Sequence, residues 1–233
     1  MRFPVPLVHA TLVRRYKRFL SDHRLETGET VVAHCANPGS MLGLAEPGMT
    51  TWLAPARSPP RALAWTWELV RVGRALVGIN TVHPNGLVAE AIEQGRIAGL
   101  ADYATVRREV RYGVNSRIDL LLEAPHRPPC YVEVKNVHLR REIGLAEFPD
   151  SVTARGTKHL RELAGVVAAG GRAVMMYLVQ RADCRRFAIA HDIDPVYAEA
   201  LHEARAAGVE TLCYQCELNR QGIRVDRPLV LAL

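Results

Sequence analysis

The chain has 233 residues, 48% of them apolar and 23% charged, the balance of an ordinary globular protein and not of a disordered or fibrous one. No apolar run is long enough to span a bilayer, and the start Met1-Arg-Phe-Pro-Val-Pro6 lacks the sustained apolar segment of a signal peptide. Five cysteines, an odd number, point to reduced thiols, so a cytoplasmic protein with no membrane partner is expected.

The net charge of +6 is concentrated at the front: residues 1–80 carry ten Lys/Arg against five Asp/Glu, and all three tryptophans, Trp52, Trp65 and Trp67. Cations mixed with aromatics suit a surface that meets phosphates and stacks bases; the same composition also describes a basic domain with buried tryptophans. This first third reads as short strands at Leu7–Arg14, Phe19–Leu25, Glu29–Ala36, Thr50–Pro55, Leu63–Val72 and Ala75–Ile79, with a turn at Asn37-Pro38-Gly39. Along Leu63–Val72 the alternation puts Trp65, Trp67 and Leu69 on one face. Five or so strands in this length suit an OB-like barrel. From residue 80 the pattern changes to helices at Asn85–Gln94, Thr153–Ala169 and Pro195–Ala207. They alternate with strands at Val106–Tyr112, Ser116–Glu123, Cys130–Asn136, Arg172–Gln180, Phe187–Ala190 and Val209–Tyr214. That alternation predicts a mixed sheet flanked by helices. The expected division is 1–82 and 83–233.

The chemistry is concentrated in Ser116-Arg-Ile-Asp-Leu-Leu-Leu-Glu123 and Cys130-Tyr-Val-Glu-Val-Lys-Asn136. On the second strand Tyr131, Glu133 and Lys135 share a face, opposite Val132 and Val134. Asp119 lies on the partner strand, so one sheet can hold two carboxylates and a lysine together. Two carboxylates can bind a hard divalent cation, and an adjacent lysine can orient a water or offset charge on a phosphate. A solvated strand face with a cross-strand ion pair would use the same residues.

Further stretches carry a family resemblance. They are His34-Cys-Ala-Asn-Pro-Gly-Ser-Met41, Trp67-Glu-Leu-Val70, Asn80-Thr81, Asn85-Gly-Leu-Val-Ala-Glu-Ala91, Ser116-Arg-Ile-Asp119, Glu133-Val-Lys-Asn136 and Phe148-Pro-Asp-Ser-Val-Thr-Ala-Arg-Gly-Thr-Lys-His-Leu160. In order and spacing the chain resembles the sugar fermentation stimulation protein (SfsA) family over almost its whole length. The resemblance implies an N-terminal OB-like β-barrel, a restriction-endonuclease-like (PD-(D/E)xK) α/β domain and DNA binding. It implies that Asp119, Glu133 and the carbonyl of Val134 hold Mg or Mn, with Lys135 as the catalytic lysine. Around Arg61-Ala62 the family commonly has Arg-Lys, so Ala62 removes one cation here.

Other residues are placed beside this core. Glu90 is the candidate for an extra acidic residue on the helix before the sheet, and Asn85 for the cap of that helix. Arg155, Lys158 and His159 lie near the start of the second long helix, with Arg155 and His159 on one face. Lys158 is the choice for contact with phosphate or metal-bound water, and an ion pair with Glu162 is its plainer use. Asp150, Ser151 or Thr153 would cap this helix. The candidate nucleic-acid contacts are Arg14, Arg15, Lys17, Arg61, Arg117 and Arg155, with DNA favoured over RNA. His34, Cys35 and Asn37 read as turn-fixing residues, and Cys213-x-x-Cys216 is a single pair where a zinc site needs four ligands. The expected function is a DNA-binding, metal-dependent nuclease. Its rivals are a non-catalytic DNA-binding regulator of sugar (maltose) metabolism and a phosphoesterase acting on a small nucleotide.

Overall fold

The computed structural model describes residues 1–56, 63–113 and 116–233. Six strands open the chain: β1 (Val8–Tyr16), β2 (Leu20–Leu25), β3 (Thr30–His34), β4 (Thr50–Pro55), β5 (Trp65–Val72) and β6 (Ala75–Gly78). They pair in the order β3-β2-β1-β4-β5-β6, and a parallel pairing of β3 with β5, Ala33 opposite Trp65, closes the first five into a barrel. This is the closed five-stranded topology of an OB-like fold. Period-two alternation fills the barrel: Ala10 and Leu12 from β1, Val31 and Ala33 from β3, Leu53 from β4. Met41 and Leu44, from the β3–β4 connection, plug it.

The tryptophans depart from the stacking expectation. Trp67 is fully buried in the barrel, and its indole N–H donates to the Leu69 carbonyl at 2.9 Å. Trp52 is also buried, but in the core beyond the barrel. Ordinary alternation along β4 turns it away from Leu53, which faces the barrel. Simple alternation fails on β5, where a bulge leaves Glu68 without a partner on β4. Trp65, Trp67 and Val70 face the barrel core, while Leu69 faces the second core. The strand is buried on both sides, so hydrophobicity no longer marks one face.

The second region begins with α1 (Pro84–Glu93), followed by β7 (Thr105–Tyr112), β8 (Ser116–Glu123), β9 (Cys130–Val137) and β10 (Gly144–Phe148). It continues with α2 (Ala154–Ala168), β11 (Arg172–Val179), β12 (Cys184–Ile189), α3 (Pro195–Ala206), β13 (Glu210–Asn219), β14 (Gly222–Pro228) and β15 (Val230–Leu231). The main sheet runs β14-β13-β11-β9-β8-β7, with β9, β11 and β13 parallel and antiparallel strands at both edges. Strands β10, β12 and β15 form a small parallel sheet that local patterning does not anticipate.

Helix α1 covers one face of the main sheet through Leu87, Val88, Ala91 and Ile92. Helices α2 and α3 cover the other through Leu160, Leu163, Tyr197 and Leu201. The first of these cores also takes in Trp52 and Leu69, so it crosses from the barrel into the second region. Cys213 packs in one core and Cys216 in the other. They lie on opposite faces of β13, and a shared metal or disulfide is excluded by geometry. Among the described residues, no helix is long and apolar enough to cross a membrane.

Candidate metal centre

Strands β8 and β9 pair antiparallel only from Leu120 opposite Val132 to Leu122 opposite Cys130. Beyond Leu120 they part. Val134 would be the next β9 residue bonded to β8, because hydrogen-bonded residues recur every second position. Its N–H donates instead to Asp119 Oδ2 at 2.8 Å. The N–H and C=O of one strand residue point to the same neighbour, so the Val134 carbonyl faces the same gap. Asn85, from the first turn of α1, donates to Asp119 Oδ1 at 2.7 Å and to Glu109 at 3.3 Å. Asn85 is therefore not the helix cap. His83 occupies that position without a side-chain bond, and Pro84 starts the helix.

Glu133 and Lys135 point from β9 towards α2. Glu133 is 2% exposed, and its Oε1 accepts from Lys135 Nζ at 2.7 Å and from His159 Nδ1. Arg155 Nε donates to His159 Nε2 at 3.3 Å, which leaves the ring proton on Nδ1 for Glu133. The other oxygen, Glu133 Oε2, is buried with no protein partner. An orphaned carboxylate oxygen inside a protein is costly unless something occupies it.

Burial, and then the charge of Glu133, raise the Asp119 carboxyl to about 6, despite the opposing Val134 N–H, Lys135 and Asn85. Burial would raise Glu133 as well. The His159 hydrogen bond and the Lys135 charge outweigh it and hold Glu133 below its usual range. Two buried carboxylates, one resisting ionisation beside the other, fit a divalent cation bound through oxygen. The donors are few. Among the described residues, no three His, Cys, Asp or Glu side chains are grouped to hold a metal. A cation here would draw on Asp119, Glu133 and backbone or water oxygen.

The remaining predicted residues scatter. Lys158 lies on the exposed side of α2, 3.6 Å from Glu162. Glu162 is the deeper group. Its Oε1 accepts from Ser116 Oγ at 2.7 Å, and its Oε2 is buried without a partner. The Tyr112 hydroxyl is likewise buried and unpartnered, with its phenol pushed up by burial and by the charges of Glu133, Glu162 and Asp119. Glu90 is apart from this group: its Oε2 meets the Met1 ammonium at 2.5 Å, at the far end of α1 from Asn85. Arg15 is spent on the carbonyls of Arg18, Asn37 and Gly39, and Arg14 pairs with Asp22 at 2.7 Å. Lys17, in the β1–β2 turn, and Arg117 and Arg155 are exposed. Arg61 and Ala62 lie outside the described residues. Asn37 fixes its turn, accepting from the Gly39 N–H at 2.9 Å.

The sequence reading names His159, Asn85 and Glu162 but places none of them against Asp119, Glu133 or Ser116, where the structure has them. His159 carried a usable signal. It flanks the apolar stripe of Leu160 and Leu163, whereas Lys158 falls on the opposite side of the helix.

Two family models match the chain: the SfsA N-terminal OB domain over residues 13–79 and the sugar fermentation stimulation protein RE domain over residues 82–222. The chain belongs to the SfsA family. Sugar fermentation stimulation protein homologs are 61% identical in Paramagnetospirillum magneticum, covering 100% of this chain and 98% of the relative, and 61% identical in Rhodospirillum centenum, covering 100% of both. Among solved structures, Pyrococcus furiosus SfsA in complex with Ca2+ superposes with a TM-score of 0.91 at 26% identity, over 100% of this chain and 98% of that one. The architecture of this SfsA-family chain is thus an OB-like barrel joined to a restriction-endonuclease-like domain.

Proposed function

We propose that this protein is a divalent-metal-dependent nuclease that hydrolyses phosphodiester bonds, in DNA more than RNA, with Mg or Mn. The observation that carries the reading is the gap where β8 leaves β9. Asp119 accepts from the Val134 N–H there, and the neighbouring residue of β9, Glu133, keeps one buried oxygen without a partner while the other holds Lys135. That a relative of nearly identical fold was solved with Ca2+ supports a cation-binding role. Asp119 and Glu133, with the Val134 carbonyl, are the ligands. Bound there, the cation supplies Lewis-acid stabilisation of charge on a phosphate and an activated water.

The chain's own groups do the rest. Val134 and Asn85 fix both oxygens of Asp119. His159 fixes one oxygen of Glu133 and leaves the other free to bind. Lys135, held at the same carboxylate with only 14% of its side chain exposed, orients the attacking water and offsets charge on the phosphate. Residues 1–82 serve as the nucleic-acid-binding domain. With Trp52 and Trp67 buried, its contribution falls to the β1–β2 hairpin, where Lys17, Arg18 and Phe19 are exposed. Five free cysteines, all buried, support a cytoplasmic setting for this activity.

The test is cleavage of labelled single- and double-stranded DNA and RNA with Mg, Mn or EDTA. Metal-dependent cleavage of DNA is expected. Absence of cleavage on every substrate by folded, Mn-loaded protein would instead support a non-catalytic DNA-binding regulator.

A further inference from the structure

The β7–β8 hairpin carries a pairing with no structural use. Arg111 and Arg117 lie directly opposite one another in the register, which brings like charges to within roughly 5 Å at Cβ and costs stability. Both are exposed, and among the described residues neither has an ion pair or a side-chain hydrogen bond. Glu109, two residues from Arg111 on β7, is taken by Asn85. The two arginines line a concavity of about 490 Å³ with Tyr112, Gly113 and Ser116.

This hairpin end is held against the metal centre. Ser116 donates to Glu162 on α2, and Ile118 packs into the α2 and α3 core. Strand alternation then turns Arg117 to the face of the sheet covered by α1, from which Asn85 reaches Asp119, two residues or about 7 Å along. That span is comparable with the distance between successive phosphates of one nucleic-acid strand.

The geometry points to Arg111 and Arg117 as a guanidinium clamp for the phosphate next to the one at Asp119 and Glu133, which makes the ligand a polynucleotide strand and not a single nucleotide. The clamp rests on the nuclease reading for the position of the first phosphate. Two guanidiniums present planar, always-charged donors suited to one phosphate. The repulsion between them is relieved when the anion arrives.

The experiment measures binding of fluorescein-labelled mixed-sequence DNA, single-stranded and duplex, with Ca2+ replacing Mg2+ to prevent cleavage. Wild type is compared with Arg111→Ala/Arg117→Ala over a salt series. The control is Arg185→Ala/Arg220→Ala, which removes the same charge from exposed positions elsewhere. The clamp variant should bind about tenfold or more weakly at low salt, with a shallower salt dependence by about 1 in slope. The control should bind as wild type does. The clamp variant should also melt no lower than wild type, since its loss removes a repulsion. Equal losses in clamp and control variants would overturn the clamp and leave the nuclease reading intact. No binding of either DNA form by wild type would overturn both.

Discussion

At the level of single residues, the site depends on which oxygens are engaged and which are left open. In the proposed site, a cation must compete for Asp119 with a proton that burial and the Glu133 charge hold on it up to about pH 6. Mn affinity, measured by calorimetry between pH 5 and 8, should therefore rise about tenfold per pH unit below 6 and level off above it. Asp119→Ala should abolish binding. The same raised value has a consequence for stability. The folded carboxyl keeps its proton where the unfolded one has lost it, so the metal-free protein should become less stable as pH rises from about 4 to 6. Added Mn should reverse that loss above pH 6, as denaturant titrations would show. His159 and Lys135 separate by what they change. His159→Ala releases Glu133 from its orienting bond and should weaken Mn binding by about 10- to 100-fold. Lys135→Ala should leave Mn binding within a small factor of wild type and lower turnover by about a hundredfold. Undiminished cleavage by Lys135→Ala would remove the lysine from the mechanism.

Among the elements, α2 is the one whose placement the site needs most, because it delivers His159 to Glu133. Thr153 caps it, its hydroxyl accepting from the Gly156 N–H at 3.1 Å, while the Thr153 N–H donates to Asp194, the cap of α3. The starts of the two helices are thus tied together, and Gly156 sits in the joint. A Cβ there would lie 2.9 Å from both Thr153 and Tyr197 side-chain atoms. Gly165, in the same helix, has open space. Alanine at the two positions should act in opposite directions. Gly165→Ala should stabilise by about 0.5–1 kcal/mol. Gly156→Ala should destabilise by about 1–3 kcal/mol and weaken Mn binding through displacement of His159. Urea denaturation of the two variants checks the first effect, and calorimetry checks the second. Equal stabilisation by both would show that the joint at Gly156 has room for a methyl group.

The molecule as a whole is fastened across the seam between its two regions. The N–H of Gly78 on β6 donates to Gln180, beyond the end of β11, at 2.8 Å. Asp150, just before α2, accepts from the Met41 N–H at 3.2 Å, from Ser40 at 3.2 Å and from His138 at 3.3 Å. Burial pushes the Asp150 carboxyl up, but His138, the Met41 N–H and the Ser40 hydroxyl outweigh it and hold it down to about 2. A depressed carboxyl contributes stability that is complete above its unfolded value, near pH 4, and is lost as pH falls through 2. Its share is roughly 2 kcal/mol. Asp150→Ala should lower stability by about that amount at pH 7 and show a smaller further loss than wild type between pH 4 and 2. Because Trp52 and Leu69 lie in the core shared with α1, the two regions should melt in one calorimetric transition. Tryptophan fluorescence, from Trp52, Trp65 and Trp67 together, would follow that same transition.

Much of this was written in local order. Short strands and then alternating helices and strands announced the barrel and the flanked sheet, because side-chain period follows backbone geometry directly. On β9 the same period put Glu133 and Lys135 on one face, as the fold has them. Other features depended on contacts that no local period encodes. Strands β10 and β15 are short, and β10 pairs with β12 some forty residues later. Trp67 was open to either a stacking or a buried role because burial on both sides of β5 erases the usual contrast. Lys158 and His159 are neighbours in sequence, and only the packing of Leu160 and Leu163 decided that the histidine meets Glu133. Asp119 faces Val134 because β8 pairs with β9 only from Leu120 onward, which leaves the Val134 N–H without a backbone partner on β8. The residue types were set by the chain; which of their oxygens stayed open was set by the tertiary structure, because a hydrogen-bond partner is chosen by proximity in space.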